Sequence, residues 1–251
     1  MSHHPVATNQ ERQIGGAETV GFVSAHLKPG ATILDVGCGD GTLAKLLIDN
    51  GFKVTGVDRN EEAIEKAKAL GVPAVAADFL QYQSPSTFDA LLFSRSLHHI
   101  HPIESAVDHA LKLLKDGGLL MLEDFGAELM DAPSAIWFYG LKSLLACATD
   151  NAKSHGPKLD DGQIPSDPVQ SWRDHHFKNH DVIESGIMLP VLEKKFELVH
   201  RASVPYLYRY FLDDISSEQA QRLLKWEEQL CKARAIATIG IRFVGKKNST
   251  S

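Results

Sequence analysis

Residues 33–41 read Ile-Leu-Asp-Val-Gly-Cys-Gly-Asp-Gly, a carboxylate followed by three glycines at alternate positions. Glycine reaches backbone conformations closed to other residues and lets a ligand lie close to the main chain. A helix starting just beyond such a turn offers unpaired N–H groups to an anion. Asp58 follows 17 residues after Gly41, at the end of the next apolar run, where a carboxylate can hydrogen-bond both hydroxyls of a ribose. This set suits the binding of a nucleoside-type cofactor. Histidine supplies a second set. Of 12 histidines, His98, His99 and His101 cluster after one apolar run, and His175, His176 and His180 cluster in a later segment. Imidazole titrates near pH ~6.5, which suits proton abstraction near neutrality.

These residues need elements to hold them. In the first half, short apolar runs alternate with helical patterns. Val20, Val23 and Leu27 share a helical face closed by Pro29-Gly30. Strands are expected at 31–36, 53–57, 74–77, 88–94 and 119–122, with helices at 42–50, 60–70 and 102–114 between them. Asn60 is placed to cap its helix, with Glu61 and Glu62 in the first turn. Asp116-Gly117-Gly118 is expected to end the helix before strand five. Alternation of this kind implies a parallel sheet with right-handed crossovers, and continuous apolar runs suit strands buried on both faces.

The pattern then changes. A helix is expected at 134–148, carrying Ile136, Trp137, Leu141, Leu144 and Leu145. The 149–170 stretch is polar and contains Pro157, Pro165 and Pro168, a long loop of the kind that is functional or disordered. Helical character returns at 181–194, strand six lies within 196–211, a helix covers 216–237, and strand seven covers 239–244.

Two ligand classes use a glycine turn of this kind. Dinucleotide enzymes carry GxGxxG, whose third glycine would be residue 42. That residue is Thr42, and the spacing is GxGxG. The chain resembles the class I S-adenosylmethionine-dependent methyltransferases, over roughly residues 15–125 and more weakly over 196–245. The resemblance implies a Rossmann-like doubly wound α/β sheet of seven strands, mostly parallel with an antiparallel last strand. A helical lid would be inserted after strand five. It implies S-adenosyl-L-methionine as cofactor and S-adenosyl-L-homocysteine as product. By it, Asp35 and the loop of Gly37, Cys38, Gly39 and Gly41 lie against the methionine part of the cofactor. Asp58 binds the ribose, Asp78 meets the adenine amino group and Phe79 flanks the ring. Arg59 and Ser94 complete the expected cofactor set. Phe88 to Ser94 resembles the fourth-strand motif, and the Leu97-His98-His99 ending resembles small-molecule and quinone methyltransferases. Enzymes that methylate amino groups of bases or glutamine carry an Asn/Asp-Pro-Pro-aromatic motif there; this chain has Ser94-Arg95-Ser96-Leu97.

The expected organisation is one domain over 1–251, with a core of about 15–125 and 196–245 and a lid of about 126–190. Methyl transfer from a sulfonium needs alignment and exclusion of water, and a base only where the nucleophile must lose a proton. His98, His99 and His176 are the catalytic candidates, beside cofactor-side packing and helix capping for the first two and a solvated polar loop for His176. The acceptor is expected to be an oxygen or nitrogen of a small metabolite. Trp137, Tyr139 and Trp172 are candidates for an aromatic pocket, and Arg95, Arg173 and Arg209 for a substrate carboxylate. Spacings of three (His98, His101) and four (His176, His180) can place two imidazoles on one helix face, but no cysteine lies nearby and no metal is expected. Two alternatives remain open: a protein of this fold that binds S-adenosylmethionine for a non-methylating reaction, and a non-catalytic binding module.

The composition is compatible with these readings. The formal charge is −6, which argues against a nucleic-acid partner. Three separated cysteines, Cys38, Cys147 and Cys231, make neither a disulfide framework nor a zinc pattern, and a cytoplasmic setting is expected. No apolar run reaches the ~20 residues of a membrane helix, and the first residues show no secretory signal.

Overall fold

The computed structural model describes residues 9–148 and 156–248. The start of the expected long loop, 149–155, lies outside the described residues. The strands are β1 (Thr32–Val36), β2 (Lys53–Asp58), β3 (Ala74–Ala76), β4 (Phe88–Ser94), β5 (Leu114–Phe125), β6 (Glu197–Val204) and β7 (Gly240–Lys246). They form one seven-stranded sheet in the order β3-β2-β1-β4-β5-β7-β6. β1 to β5 pair in parallel. β7 runs against β5: Lys247 N donates to Gly118 O, while Gly126 N donates to Ile239 O, so partners descend along one strand as they ascend along the other.

Strand order reverses between β1 and β4, so the crossovers leaving their C-terminal ends diverge. In open α/β sheets that divergence opens the ligand crevice. Register places Asp35 beside Gly56 on one side and Leu92 on the other.

The chain divides into two compact units. The second comprises Gly15–Asp124, Gly186–Ala202 and Ile241–Ser251. It holds most of the sheet, α1 (Asn9–Ser24) from Gly15 on, the helices α2 (Thr42–Asp49), α3 (Glu61–Ala69) and α4 (Ile103–Leu113), and nearly all of α7 (Ser185–Lys195). The Asn60 side chain caps α3 by accepting from Ala63 N. α4 buries Ile103, Ala106, Val107, Ala110 and Leu113, the stripe its 3.6-residue period requires. Ile33, Leu92, Met121 and Val244 share one core with Ala44 and Leu47 of α2 and Ala67 of α3. Full burial of such side chains contributes about 1.5–3 kcal/mol each. A polar network anchors the end of β5: the Arg242 guanidinium donates to Glu123 Oε1 at 2.6 and 2.9 Å, and the Thr19 hydroxyl donates to Glu123 Oε2.

The first unit comprises Phe125–Ser185, Ser203–Gly240 and the chain up to Ile14. It includes α5 (Ala132–Ala148), α6 (Pro168–Arg173) and α8 (Ser217–Lys232). α8 opens with a reciprocal cap between Ser216 and Gln219. The aromatic core contains Phe138, Tyr139, Trp172, Tyr208 and Phe211. The β6–β7 connection, read from the sequence as part of the core, belongs to this unit together with the segment after β5.

Two local readings change. β5 begins at Leu114 rather than 119, because Leu114 pairs with Phe88 across a register shift and the glycines continue the ladder. The stretch read as loop to residue 170 contains the start of α6, which winds on as a wider π turn over Asp174–Asn179. Trp172 holds that helix in place: it is fully buried and donates its indole N–H to Ala127 O at 2.9 Å.

Candidate active site

The loop after β1 is built around its glycines. Gly37, Gly39 and Gly41 all have positive φ, at 73°, 53° and 76°. A Cβ on Gly37 would meet the Ser96 side chain at 2.5 Å, and one on Gly41 would meet that of Ala67 at 2.6 Å. A Cβ on Gly39 would meet nothing within 4 Å. Gly37 and Gly41 therefore let neighbouring elements close in, while Gly39 serves the turn itself and leaves an open approach to the main chain.

Asp58 is the tether. Its Oδ2 accepts from Gly39 N and its Oδ1 from Asn60 N, both at 2.9 Å. Each carboxylate oxygen keeps a further lone pair for a ligand hydroxyl. Gly37 N and Cys38 N donate to Val57 O at 2.8 and 3.2 Å, stitching the loop to the end of β2. The Cys38 sulfur fills the space over Gly56, where a Cβ would meet it at 2.5 Å. Burial and the surrounding carboxylates push its thiol far up, so it stays protonated and packs.

Asp35 sits 2% exposed, and its Oδ2 has no hydrogen-bond partner. Burial and the negative charge of Asp58 push its carboxyl up to about 7, against the opposing pull of Arg95. Ser94 Oγ is also buried without a partner. Buried polar atoms are normally paired, and these two unpartnered oxygens lie at the C-terminal ends of β1 and β4. Arg95, next in the chain, takes φ 59°, a left-handed conformation that costs a non-glycine residue of order 1 kcal/mol. Arg59 follows Asp58 at the mouth of β2 and is exposed.

Asp78 caps the turn after β3, its Oδ1 accepting from Leu80 N at 2.8 Å. Phe79 packs edge-on against Phe93 and His109, at centroid distances of 5.4 and 5.0 Å. Its ring is thus largely committed to the packing between β4 and α4.

After β4 the histidines separate by role. The His98 ring is 5% exposed, and its Nδ1 lies 2.5 Å from Oδ1 of Asp124, itself wholly buried. A carboxylate accepts, so Nδ1 carries the hydrogen of this contact. Half-buried His99 lies against it at 4.1 Å. Asp124 is the residue that motif reading missed. Its signal was its place at the tip of β5, beside the tip of β4 that carries His98.

The third catalytic candidate belongs to the other unit and is fully engaged there. His176 is 3% exposed; its Nδ1 lies 2.9 Å from Trp172 O and its Nε2 2.9 Å from Tyr210 Oη. Both ring nitrogens of His176 are thus engaged within this unit. His175, 4.5 Å from His180, is pushed down to about 4 by burial and by His180 and Lys142. Trp172 and Tyr139 are core. Lys142 is buried, which pulls its ammonium down to about 8 against the influence of Asp214. Arg173 and Arg209 lie over aromatic rings, 5.3 Å from Phe177 and 5.4 Å from Tyr208. Among the described residues, no three His, Cys, Asp or Glu side chains gather as a metal site, and no helix is long and apolar enough to cross a membrane.

A family model described as a methyltransferase domain matches residues 9–180. The chain belongs to the methyltransferase family. A ubiquinone biosynthesis O-methyltransferase of Idiomarina loihiensis is 32% identical over 109 residues, 39% of this chain and 45% of that protein. The chain spans about half the length of the curated relatives it matches. Among solved structures, the N-methyltransferase NodS of Bradyrhizobium japonicum, in complex with S-adenosyl-L-homocysteine, superposes with a TM-score of 0.54 at 13% identity, covering 95% of this chain and 89% of that one. The [4+2]-cyclase SpnF superposes with a TM-score of 0.57 at 18% identity, covering 93% and 81%. At these identities the likeness speaks for the fold this methyltransferase-family chain adopts.

Proposed function

We propose that the chain binds S-adenosyl-L-methionine at the C-terminal ends of β1, β2 and β4 and methylates an oxygen or nitrogen of a small molecule. The observation that carries this reading is the loop at 37–41, tied to Asp58 through Gly39 N, beside the unpartnered oxygens of Asp35 and Ser94. These residues fit the cofactor's polar groups. Asp58 receives the ribose hydroxyls while holding the loop. Asp35 faces positive charge, and Ser94 supplies a hydroxyl. Asp78 and Arg59 stand where β3 and β2 end.

When bound, the cofactor supplies a methyl group on a positively charged sulfur. The chain's own task is to orient the acceptor, keep water out and remove the acceptor's proton. His98 fits that last task, with Asp124 fixing its tautomer and stabilising the imidazolium that forms. Sequence relatives named for O-methylation favour an oxygen acceptor.

Calorimetric titration with S-adenosylmethionine and S-adenosylhomocysteine tests the cofactor half. Binding of both at micromolar concentration is expected, and Asp58→Ala should weaken it by about tenfold or more through loss of two hydrogen bonds to the ligand. An unchanged dissociation constant would remove Asp58 from the site. A metabolite screen read by homocysteine release tests the transfer. The likeness to a cyclase keeps a second reading in play, a non-methylating reaction beside a bound cofactor; turnover without S-adenosylhomocysteine formation would select it.

A further inference from the structure

Two histidines that the methyl-transfer reading leaves unused come together in the second unit. His26 lies in the turn that follows α1, and His200 lies on β6, the strand at the edge of the sheet. Their ring centroids are 5.2 Å apart, with the planes at 52°. Phe22 of α1 lies beside both rings, 5.4 Å from His26 and 6.4 Å from His200. Phe22 is buried while both histidines are half-buried, so an ion can reach the pair from solvent. The His26 ring is held by one hydrogen bond, between its Nδ1 and Phe22 O at 3.0 Å. A carbonyl only accepts, so Nδ1 donates, and Nε2 of the neutral ring carries the lone pair. Among the described residues neither imidazole has a further hydrogen bond.

A histidine that donates one ring N–H to a backbone carbonyl has the usual arrangement of a metal ligand, because the carbonyl fixes both tautomer and ring orientation. Distance supports the same reading. Two imidazoles bound to one tetrahedral ion at about 2.1 Å put their ring centroids roughly 5 Å apart, and the observed separation is 5.2 Å. The Arg242 guanidinium lies over the same Phe22 ring at 5.1 Å, but its charge is spent on Glu123, at 2.6 and 2.9 Å. We infer that His26 and His200 bind a divalent transition-metal ion of the zinc class through two imidazole nitrogens, with water completing the coordination. Imidazole suits zinc, copper and nickel, whereas magnesium and calcium take oxygen ligands. The ion would clamp the turn after α1 to the edge strand. The two histidines are far apart in the chain, so no short spacing announces the pair.

Zinc chloride titrated into the full chain tests the site, with the histidine ring signals followed by NMR and assigned through single variants. The signals of His26 and His200 should move together and saturate with one ion. His26→Gln and His200→Gln should each weaken zinc binding at the remaining ring by at least about tenfold, the least that loss of a ligand costs when loss of its supporting partner already costs that much. Magnesium chloride at the same concentration should leave both signals in place. A lone surface histidine takes up zinc without regard to its neighbour, so the dependence of each ring on the other separates a shared site from adventitious binding. Independent movement of the two rings, an unchanged zinc affinity at His200 in folded His26→Gln, no movement of either ring, or equal movement with magnesium would overturn the site. Where one variant fails to fold, the other decides, since each removes one of the two ligands. The titration uses neither cofactor nor acceptor, so its outcome is separate from that of the methyltransferase reading.

Discussion

Asp35 is a carboxyl held out of water with an unpartnered oxygen, and its behaviour follows from that. Its value of about 7 in the folded chain lies above the ordinary 3.8. Between these limits the folded chain binds more protons than the unfolded chain, so stability falls as pH rises from about 4 to about 7. A cationic ligand favours the ionised carboxylate and pulls the other way. Affinity for S-adenosylmethionine should therefore rise with pH, approaching tenfold per unit below pH 7 and levelling above it. Asp35→Asn should flatten both dependences. Calorimetry and thermal denaturation across pH 5–8 check this, and a pH-independent wild-type affinity would count against cationic contact at Asp35. Asp124 makes a different prediction. Asp124→Asn keeps the shape but can offer its N–H to His98 Nδ1, selecting the wrong tautomer. With the acceptor found by the homocysteine-release screen, turnover should fall by about a hundredfold or more, with S-adenosylhomocysteine affinity unchanged. Turnover within a few-fold of wild type would demote the pair to packing.

At the scale of elements, the sharpest polar device is Glu227 on α8. Its wholly buried carboxylate accepts from the backbone N–H groups of Tyr206, Leu207 and Tyr208 at 2.7, 2.9 and 2.7 Å, fixing the turn that leads into Leu207–Phe211. Burial raises its carboxyl, while these three bonds and Arg209 oppose that rise. Glu227→Gln replaces one acceptor oxygen with a donor aimed at N–H groups. It should cost about 2–4 kcal/mol, the order expected for one or two buried groups left unsatisfied. Chemical denaturation measures this; a loss below about 0.5 kcal/mol would mean that water or a shifted turn replaces the bonds. Because this turn also carries Tyr210, the same substitution should loosen the aromatic cluster around His176.

At the scale of the molecule, the two units show how far a sequence can be read. β1 to β4, α2 to α4 and the cap at Asn60 were legible because each follows a local rule: apolar runs for strands buried on both faces, a 3.6-residue stripe for helices, and glycine or asparagine at the ends. The start of β5 was misread because Asp116-Gly117-Gly118 resembles a helix stop, and only pairing with Phe88 and Lys247 makes it strand. α6 was missed because its polar surroundings hide one buried tryptophan. The β6–β7 connection joined the first unit because its aromatic residues pack with those after β5, an association that neighbours in sequence cannot express.

The order of strands and helices, the glycine turn and the carboxylate at each strand end are written in residue type and short spacing. Folding alone sets which partner each histidine meets. Asp124 stands 26 residues from His98 and Tyr210 stands 34 from His176. A proton's place on an imidazole is set by the partner that folding brings to its other nitrogen.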